Sequence, residues 1–123
     1  MGKQTAMKNR PFHERLAFSI KGLHAAWRRE SSFRTQIGIA GAALLFLIIV
    51  RPPVVWWAIV LLTVALVLAM ELMNSAIEAL IDHLHPERHS EIGIIKDIAA
   101  GGVLVVSIGA VAVGLCLLFS LLA

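Results

Sequence analysis

Residues 54–81 of the chain read VVWWAIVLLTVALVLAMELMNSAIEALI. Every residue up to Met70 is apolar except Thr63, and the helical pattern then continues through a stretch that contains two glutamates. At about 1.5 Å per residue, a helix over this segment is about 42 Å long, whereas the hydrocarbon of a bilayer is about 30 Å thick. The segment therefore predicts a membrane-spanning helix whose polar end projects into the interface.

A shorter apolar segment over about 33–50 precedes this helix and predicts another span. We expect Ser31 and Ser32 to cap its start, since serine side chains accept hydrogen bonds from the first free N–H groups of a helix. Residues 51–53, Arg-Pro-Pro, end it, because proline cannot continue the helical hydrogen bonds and disfavours a helical conformation in the preceding residue. A tight turn therefore joins the first two spans.

The last apolar segment, about 98–122, holds no charged residue and predicts the third span. A polar stretch over 82–97 would form the loop between the second and third spans. Cys116 is the only cysteine and lies in the apolar run, so we interpret it as a small packing residue. Close helix contacts are expected at the glycines of this span, which are Gly101, Gly102, Gly109 and Gly114.

The N-terminal part predicts a surface helix. Residues 1–11 have the composition of a basic leader, and over 12–31 apolar residues recur at helical spacing. A basic amphipathic helix is typical of helices that lie in the headgroup region of an anionic leaflet, although packing against its own protein would also explain the pattern. Its apolar face consists of Phe12, Leu16, Ile20, Leu23 and Trp27. The remaining residues, 32–123, would form the transmembrane domain.

The composition excludes an ordinary soluble domain. Of the 123 residues, 59% are hydrophobic and 15% are charged, and the mean hydropathy is +0.83. The predicted fold class is therefore an all-α membrane protein with an N-terminal amphipathic surface helix and three transmembrane helices. A chain this short buries little core by itself, so we expect it to associate with further copies of itself. No nucleic-acid partner is expected.

The basic residues predict the orientation in the membrane. Eight of the eleven Lys and Arg residues precede the apolar part of the first span, and Arg88 and Lys96 lie in the 82–97 stretch, which leaves Arg51 for the opposite side. By the positive-inside rule, the N-terminus and the polar loop are cytoplasmic, and the Arg51 turn and the C-terminus are outside. A cleaved signal peptide is not expected, because no short apolar core directly follows the basic N-terminus. Both polar segments thus face the compartment that holds ATP.

A polar stripe follows the apolar part of the second span. Its members are spaced i, i+3, i+7 and i+11, which places them on one side of a helix. Charged groups at a membrane boundary are costly and are usually retained for function, although a solvated helix end would explain the last member alone. The stripe consists of Glu71, Asn74, Glu78 and Asp82.

Two other polar positions could meet this stripe: Glu30, before the first span, and Lys96-Asp97, before the third. Several carboxylates with one lysine suit Mg²⁺ and the phosphates of a nucleotide, and a remaining carboxylate could take a proton from an attacking hydroxyl. This set of groups fits phosphoryl transfer. The chain contains neither a Walker A sequence nor protein-kinase motifs, so spacing alone does not name the reaction.

The histidines suggest a zinc site as an alternative. His83, His85 and His89 lie close together in the sequence. Beside Glu87 and Arg88, however, they are more typical of a solvated charged loop. We therefore retain only His89, as a nucleotide contact.

Several motifs match one family of small membrane enzymes. They are Glu71-Leu-Met-Asn-Ser-Ala-Ile-Glu78, then Asp82, His89 and Lys96-Asp-Ile-Ala-Ala-Gly-Gly-Val103, and, earlier, Lys21-Gly-Leu and Ala26-Trp-Arg-Arg-Glu-Ser-Ser-Phe-Arg34. From about residue 12 to its end, the chain resembles the prokaryotic diacylglycerol kinase family. The resemblance implies a homotrimeric bundle in the bacterial inner membrane, with active sites built from neighbouring protomers.

The resemblance also implies roles for individual residues. Glu71 would be the general base on the lipid hydroxyl, with Asn74 in the same catalytic site. Glu30 and Glu78 would hold Mg²⁺ and the phosphates of ATP. Further ATP contacts would be Glu87, Arg88, His89, Lys96 and Asp97. Together with Glu71, the substrate-binding residues would be Ser32, Phe33, Arg34 and Ala100.

The implied activity is the ATP-dependent phosphorylation of 1,2-diacylglycerol to phosphatidic acid. Some members of the family prefer undecaprenol, but the Asn-Ser-Ala-Ile-Glu motif and the tryptophan in the surface segment resemble the diacylglycerol type. A small homo-oligomeric ion or proton pathway is a hypothesis from another class, since intramembrane carboxylates also mark ion routes. The polar groups lie at one end of the spans, whereas a pathway needs them across the full depth.

Overall fold

The computed structural model describes residues 9–87 and 89–123. Within that part of the chain the fold is all-α, and no residue is in a strand. Residues 1–8 of the predicted basic leader lie outside the described residues. The helices in chain order are α1 (Phe12–Arg29), α2 (Ser31–Val50), α3 (Val54–Leu84) and α4 (Ser90–Leu122).

Helices α2, α3 and α4 are long and apolar enough to cross a membrane, which confirms the predicted fold class of three spans after a surface helix. Helix α3 has 31 residues and α4 has 33. At about 1.5 Å per residue, α3 is about 46 Å long and extends well beyond one side of the hydrocarbon. The charged residues of α3 lie towards this end of the helix, and those of α4 lie in its first turns.

Helix α3 packs mainly on α4, and glycine permits the approach at one position. A Cβ atom on Gly102 would lie 2.5 Å from the Cε atom of Met70. At Gly101, Gly109 and Gly114, however, a Cβ atom would meet nothing within 4 Å. The close contact expected at the glycines is therefore found within the chain only at Gly102.

The connection between α3 and α4 is shorter than the predicted loop over 82–97. Only residues 85–89 separate the two helices. The Nδ1 atom of His89 accepts a hydrogen bond from the backbone N–H of Glu91 at 3.1 Å and so caps α4. The segment is polar because the helix ends are exposed, so the predicted loop was too long at both ends.

Helices α1 and α2 meet at a one-residue corner. Glu30 has an extended backbone (φ −112°, ψ 107°) and lies between the two helices. The predicted serine cap is wrong, because Ser31 and Ser32 are already helical and the N-cap position belongs to Glu30. The Arg34 guanidinium donates to the carbonyl oxygen of Trp27 at 2.6 Å, and therefore satisfies a free carbonyl group at the end of α1.

The apolar face of α1 is left exposed by the rest of the chain. No residue of α1 is buried, and Phe12, Leu16, Ile20, Leu23 and Trp27 are all exposed. This face is therefore free to enter the headgroup region of a bilayer. Cys116 is also exposed, so it does not serve as a packing residue within the chain.

The turn between α2 and α3 depends on an unusual backbone conformation. Arg51 ends α2 with φ 54° and ψ 56°, which is the left-handed region. Its N–H donates to the carbonyl oxygen of Leu47 at 2.8 Å, and the left-handed conformation then turns the chain into Pro52 and Pro53. The left-handed region is strained for a residue with a Cβ atom.

Candidate functional site

Two hydroxyl–carboxylate hydrogen bonds connect the Glu30 corner to α3. Ser32 Oγ donates to Glu71 Oε2 at 2.8 Å, and Ser75 Oγ donates to Glu30 Oε1 at 3.3 Å. The start of α2, including its N-cap Glu30, supplies one carboxylate and one hydroxyl, and α3 supplies the other carboxylate and hydroxyl. This reciprocal arrangement brings Glu30 and Glu71, which are distant in sequence, to the same end of the bundle.

Glu71 is the only buried charged residue in the part of the chain that the structure describes, with 5% of its surface exposed. A buried carboxylate is costly unless polar groups surround it, and here the Ser32 hydroxyl supplies a hydrogen bond. Ser32 lies in the first turn of α2, where free N–H groups and the helix dipole also favour negative charge. Glu71 keeps lone pairs that are free to accept a further proton or hydrogen bond.

One turn further along α3, Asn74 contacts Glu78. Asn74 Nδ2 donates to Glu78 Oε2 at 3.0 Å, which orients the carboxylate. The Oδ1 atom of Asn74 is buried and has no hydrogen-bond partner among the described residues. Because buried polar atoms are normally paired, this oxygen is a place where a ligand could donate a hydrogen bond.

A cleft lies at the α3–α4 hairpin, beyond the polar stripe. Its volume is about 560 Å³, within the range of small-molecule sites. Lys96 lies on its wall and forms an ion pair with Asp82, with 2.5 Å between Nζ and Oδ1. Glu87 and His89 also line this cleft. Three of the residues predicted to bind ATP thus share one cavity.

The other predicted residues occupy different environments. Asp97 and Ala100 are exposed on α4, and Phe33 is buried in the first turn of α2. Arg34 bonds the carbonyl oxygens of Trp27 and Arg28 at the end of α1. Arg88 lies outside the described residues.

The predicted metal ligands, Glu30 and Glu78, are held by different partners, Ser75 and Asn74. Across residues 9–87 and 89–123, no group of three or more His, Cys, Asp or Glu side chains is placed to hold a metal ion. Mg²⁺ commonly binds through one or two carboxylates and completes its shell with phosphate oxygens and water. Two carboxylates therefore fit a metal that arrives with a nucleotide better than a metal held by the protein alone.

Sequence reasoning missed two contributors. Ser75 lies four residues after Glu71, on the same side of α3, and its spacing could have indicated that it joins the site. The ion pair between Asp82 and Lys96 was missed because both residues fell within the predicted loop over 82–97, and a long loop gives no expected distance. A short hairpin brings the two helix ends together.

The family model for prokaryotic diacylglycerol kinase matches residues 17–118. The chain belongs to this family. The diacylglycerol kinase of Escherichia coli (strain K12) is 35% identical over 107 residues, which is 84% of each chain. That of Haemophilus influenzae is 30% identical over 88 residues, which is 72% of this chain and 75% of the relative. The undecaprenol kinase of Bacillus subtilis (strain 168) is 28% identical over 104 residues, 85% of each chain.

Membership of the prokaryotic diacylglycerol kinase family confirms the resemblance found in the sequence. The protein is therefore a lipid kinase with membrane-spanning helices. As a kinase of this family, it uses a lipid as phosphoryl acceptor, ATP as phosphoryl donor and a divalent metal ion as cofactor. The carboxylates and the lysine of the site are the residue types that this chemistry needs.

Proposed function

We propose that the protein transfers the γ-phosphoryl group of ATP to the primary hydroxyl of 1,2-diacylglycerol and so forms phosphatidic acid. The observation that carries the proposal is the buried Glu71 carboxylate, held at one end of the bundle within reach of the membrane boundary. The curated relatives from Escherichia coli and Haemophilus influenzae, both named diacylglycerol kinase, support this choice of substrate.

On the acceptor side, Glu71 is the general base. Its carboxylate takes the proton of the lipid hydroxyl while the hydroxyl oxygen attacks the γ-phosphorus and ADP leaves. The Oδ1 atom of Asn74, which has no partner among the described residues, can accept a hydrogen bond from a bound substrate and so orient it. The residues proposed to border the lipid are Phe33, Arg34 and Ala100. The resemblance also implies Ser32 there, and its hydroxyl donates to Glu71.

On the donor side, the hairpin cleft holds ATP with Lys96 on the phosphates. Glu71 and Asp82 are eleven residues apart on α3, about 16 Å at 1.5 Å per residue, so an elongated nucleotide can extend from the cleft along the stripe. Glu30 and Glu78 would hold Mg²⁺, which would supply positive charge beside the phosphates. The remaining proposed nucleotide contacts are Glu87, Arg88, His89 and Asp97.

The working unit is proposed to be a homotrimer with sites shared between protomers. Few side chains of one chain are buried, and the spans present large apolar surfaces. The charge distribution supports an inner-membrane orientation with a cytoplasmic N-terminus and a periplasmic C-terminus. In that orientation the hairpin cleft faces cytoplasmic ATP.

The test is transfer of radiolabel from γ-labelled ATP in mixed micelles. We expect Mg²⁺-dependent labelling of diacylglycerol, and no labelling when a chelator removes the metal. Glu71→Gln should label no lipid, whereas the control Glu14→Gln, which changes a glutamate on the surface helix, should label it as wild type does. Absence of transfer to any lipid alcohol would contradict the proposed activity.

Undecaprenol is the second substrate to be tested, because the relative from Bacillus subtilis is named undecaprenol kinase. Both lipids present a primary hydroxyl to the same base, so the catalytic residues do not distinguish them. Separate assays with each lipid measure the ratio of kcat/KM values. If kcat/KM is higher for undecaprenol, undecaprenol is the substrate in place of diacylglycerol. The proposed chemistry would be unchanged.

A further inference from the structure

The orientation of the Glu71 carboxylate depends on one neighbouring hydroxyl. Glu71 is 5% exposed, and Ser32 Oγ donates to its Oε2 atom at 2.8 Å. The two residues are 39 positions apart, on α2 and α3. Ser32 therefore joins the start of one span to the buried carboxylate of the next.

Ser32 is exposed at the surface of the chain, but the residues beside it are buried or hydrogen-bonded. It lies in the first turn of α2, directly before Phe33, whose side chain is 4% exposed. Two residues further on, Arg34 bonds the last carbonyl groups of α1 and so fixes the corner on its other side. The Ser32 hydroxyl is therefore presented to the Glu71 carboxylate from a turn whose next two side chains are held by packing and by hydrogen bonds.

We propose that Ser32 is a positioning residue that holds the Glu71 carboxylate in the orientation needed to take a proton from the lipid hydroxyl. The inference rests on the proposed function, in which Glu71 is the base. With Oε2 engaged by Ser32, the Oε1 atom is the one left for the incoming hydroxyl. Ser32 acts through Glu71, whereas the family resemblance implies a direct contact with the lipid.

A positioning role and a lipid contact predict different kinetics. A hydroxyl can donate only one hydrogen bond, and the Ser32 hydroxyl donates it to the Glu71 carboxylate. Loss of a positioning hydrogen bond lowers kcat, because proton transfer is less well aligned, while substrate binding is retained. Loss of a lipid contact made equally in the ground and transition states raises KM for the lipid and leaves kcat unchanged.

The first experiment compares Ser32→Ala with the matched control Ser31→Ala, which removes an exposed hydroxyl one residue earlier. For Ser32→Ala we expect kcat to fall about tenfold, as for a lost hydrogen bond to a charged group, with KM for lipid and ATP unchanged within about twofold. Ser31→Ala should match wild type. An unchanged kcat, or a higher KM for lipid at normal kcat, would overturn the proposal.

A second pair of variants separates the hydroxyl from packing. Ser32→Thr retains the hydroxyl and adds a methyl group, and Ser32→Val has nearly the shape of that threonine with a second methyl group in place of the hydroxyl. We expect Ser32→Thr to recover most of the wild-type kcat and Ser32→Val to behave like Ser32→Ala. If both variants fold and their kcat values are equal, the hydroxyl has no positioning role.

Infrared spectroscopy tests the contact without turnover. We expect the difference spectrum between wild type and Ser32→Ala to show a shifted carboxyl band that Ser31→Ala does not produce. The shift should vanish when both proteins of the comparison also carry Glu71→Gln. If wild type labels no lipid, the proposed function fails, while the presence or absence of this band still decides whether Ser32 orients Glu71.

Discussion

The Lys96 ammonium lies 2.5 Å from the Asp82 carboxylate, and 32% and 65% of the two side chains are exposed. An exposed ion pair stabilises a protein by about 1 kcal/mol or less. Its contribution to folding is therefore small. A cation on the wall of the cleft is, by contrast, the group that a triphosphate would bind.

We predict that Lys96→Met raises KM for ATP about tenfold or more, because the phosphates lose a cationic partner. The free energy of unfolding in detergent should change by no more than about 1 kcal/mol. Steady-state kinetics and thermal unfolding measure the two effects. Lys21→Met, on the surface helix, is the control, and an unchanged KM for ATP in Lys96→Met would remove Lys96 from the nucleotide site.

We predict that Glu71→Gln abolishes turnover and leaves nucleotide binding intact. The amide can still accept from Ser32, so the packing is preserved, but it cannot take up the proton of the lipid hydroxyl. ATP binding measured by calorimetry should therefore match wild type, as should the size of the assembly in detergent. Loss of assembly would instead assign Glu71 a structural role.

Helical spacing predicted that Glu71, Asn74, Glu78 and Asp82 share one side of α3, but it could not predict their partners. In the structure, Glu71 bonds a residue of α2, Glu78 bonds a residue of its own helix, and Asp82 bonds a residue of α4. The sequence spacing of residues predicts only the side of their own helix on which they lie. The partner depends on how the neighbouring helices pack, which the spacing does not contain.

At the scale of the helices, Arg51 shows the cost of a tight turn. Its left-handed backbone is unfavourable for a residue with a Cβ atom. We predict that Arg51→Gly maintains or raises the free energy of unfolding, by up to about 1 kcal/mol, whereas Arg51→Ile lowers it by about 1 to 2 kcal/mol. Unfolding in mixed detergent measures both. Equal effects of the two substitutions would argue against the left-handed turn.

The contact between α3 and α4 at Gly102 gives a further prediction. A Cβ atom there would clash with the flexible end of Met70, so Gly102→Ala is expected to be tolerated once Met70 moves. Gly102→Leu should destabilise the protein by about 1 to 3 kcal/mol through overpacking. Thermal unfolding checks the order, and Met70→Ala should reduce the penalty of Gly102→Leu. If Met70→Ala does not reduce the destabilisation caused by Gly102→Leu, the leucine clashes with a residue other than Met70.

The ends of the helices were harder to predict than their existence. The apolar runs indicated all three spans, since length and hydropathy decide whether a helix can cross the hydrocarbon. The end of α3 and the start of α4 were missed, because their outer turns are polar helices in an aqueous layer. There, His89 determines where α4 begins, through a hydrogen bond to the backbone of Glu91.

At the scale of the whole molecule, shared sites can be tested by mixing inactive variants. If Glu71 of one protomer works with Lys96 of another, refolding Glu71→Gln together with Lys96→Met should restore part of the activity, because some sites would then hold neither substitution. Activity as a function of the mixing ratio measures this. Each variant refolded alone is the control, and no recovery at any ratio would indicate that each protomer holds a complete site.

The length of α3 has a consequence for the kind of membrane in which the enzyme can work. It has 31 residues and is about 46 Å long, which exceeds the hydrocarbon thickness of about 30 Å by about 16 Å. This excess is close to the rise along the helix from Glu71 to Asp82. In the proposed function, this helix would therefore set the depth at which the lipid alcohol meets the nucleotide. A bilayer with a thicker hydrocarbon layer would cover Glu78 and Asp82, and a thinner one would move Glu71 away from the lipid hydroxyl.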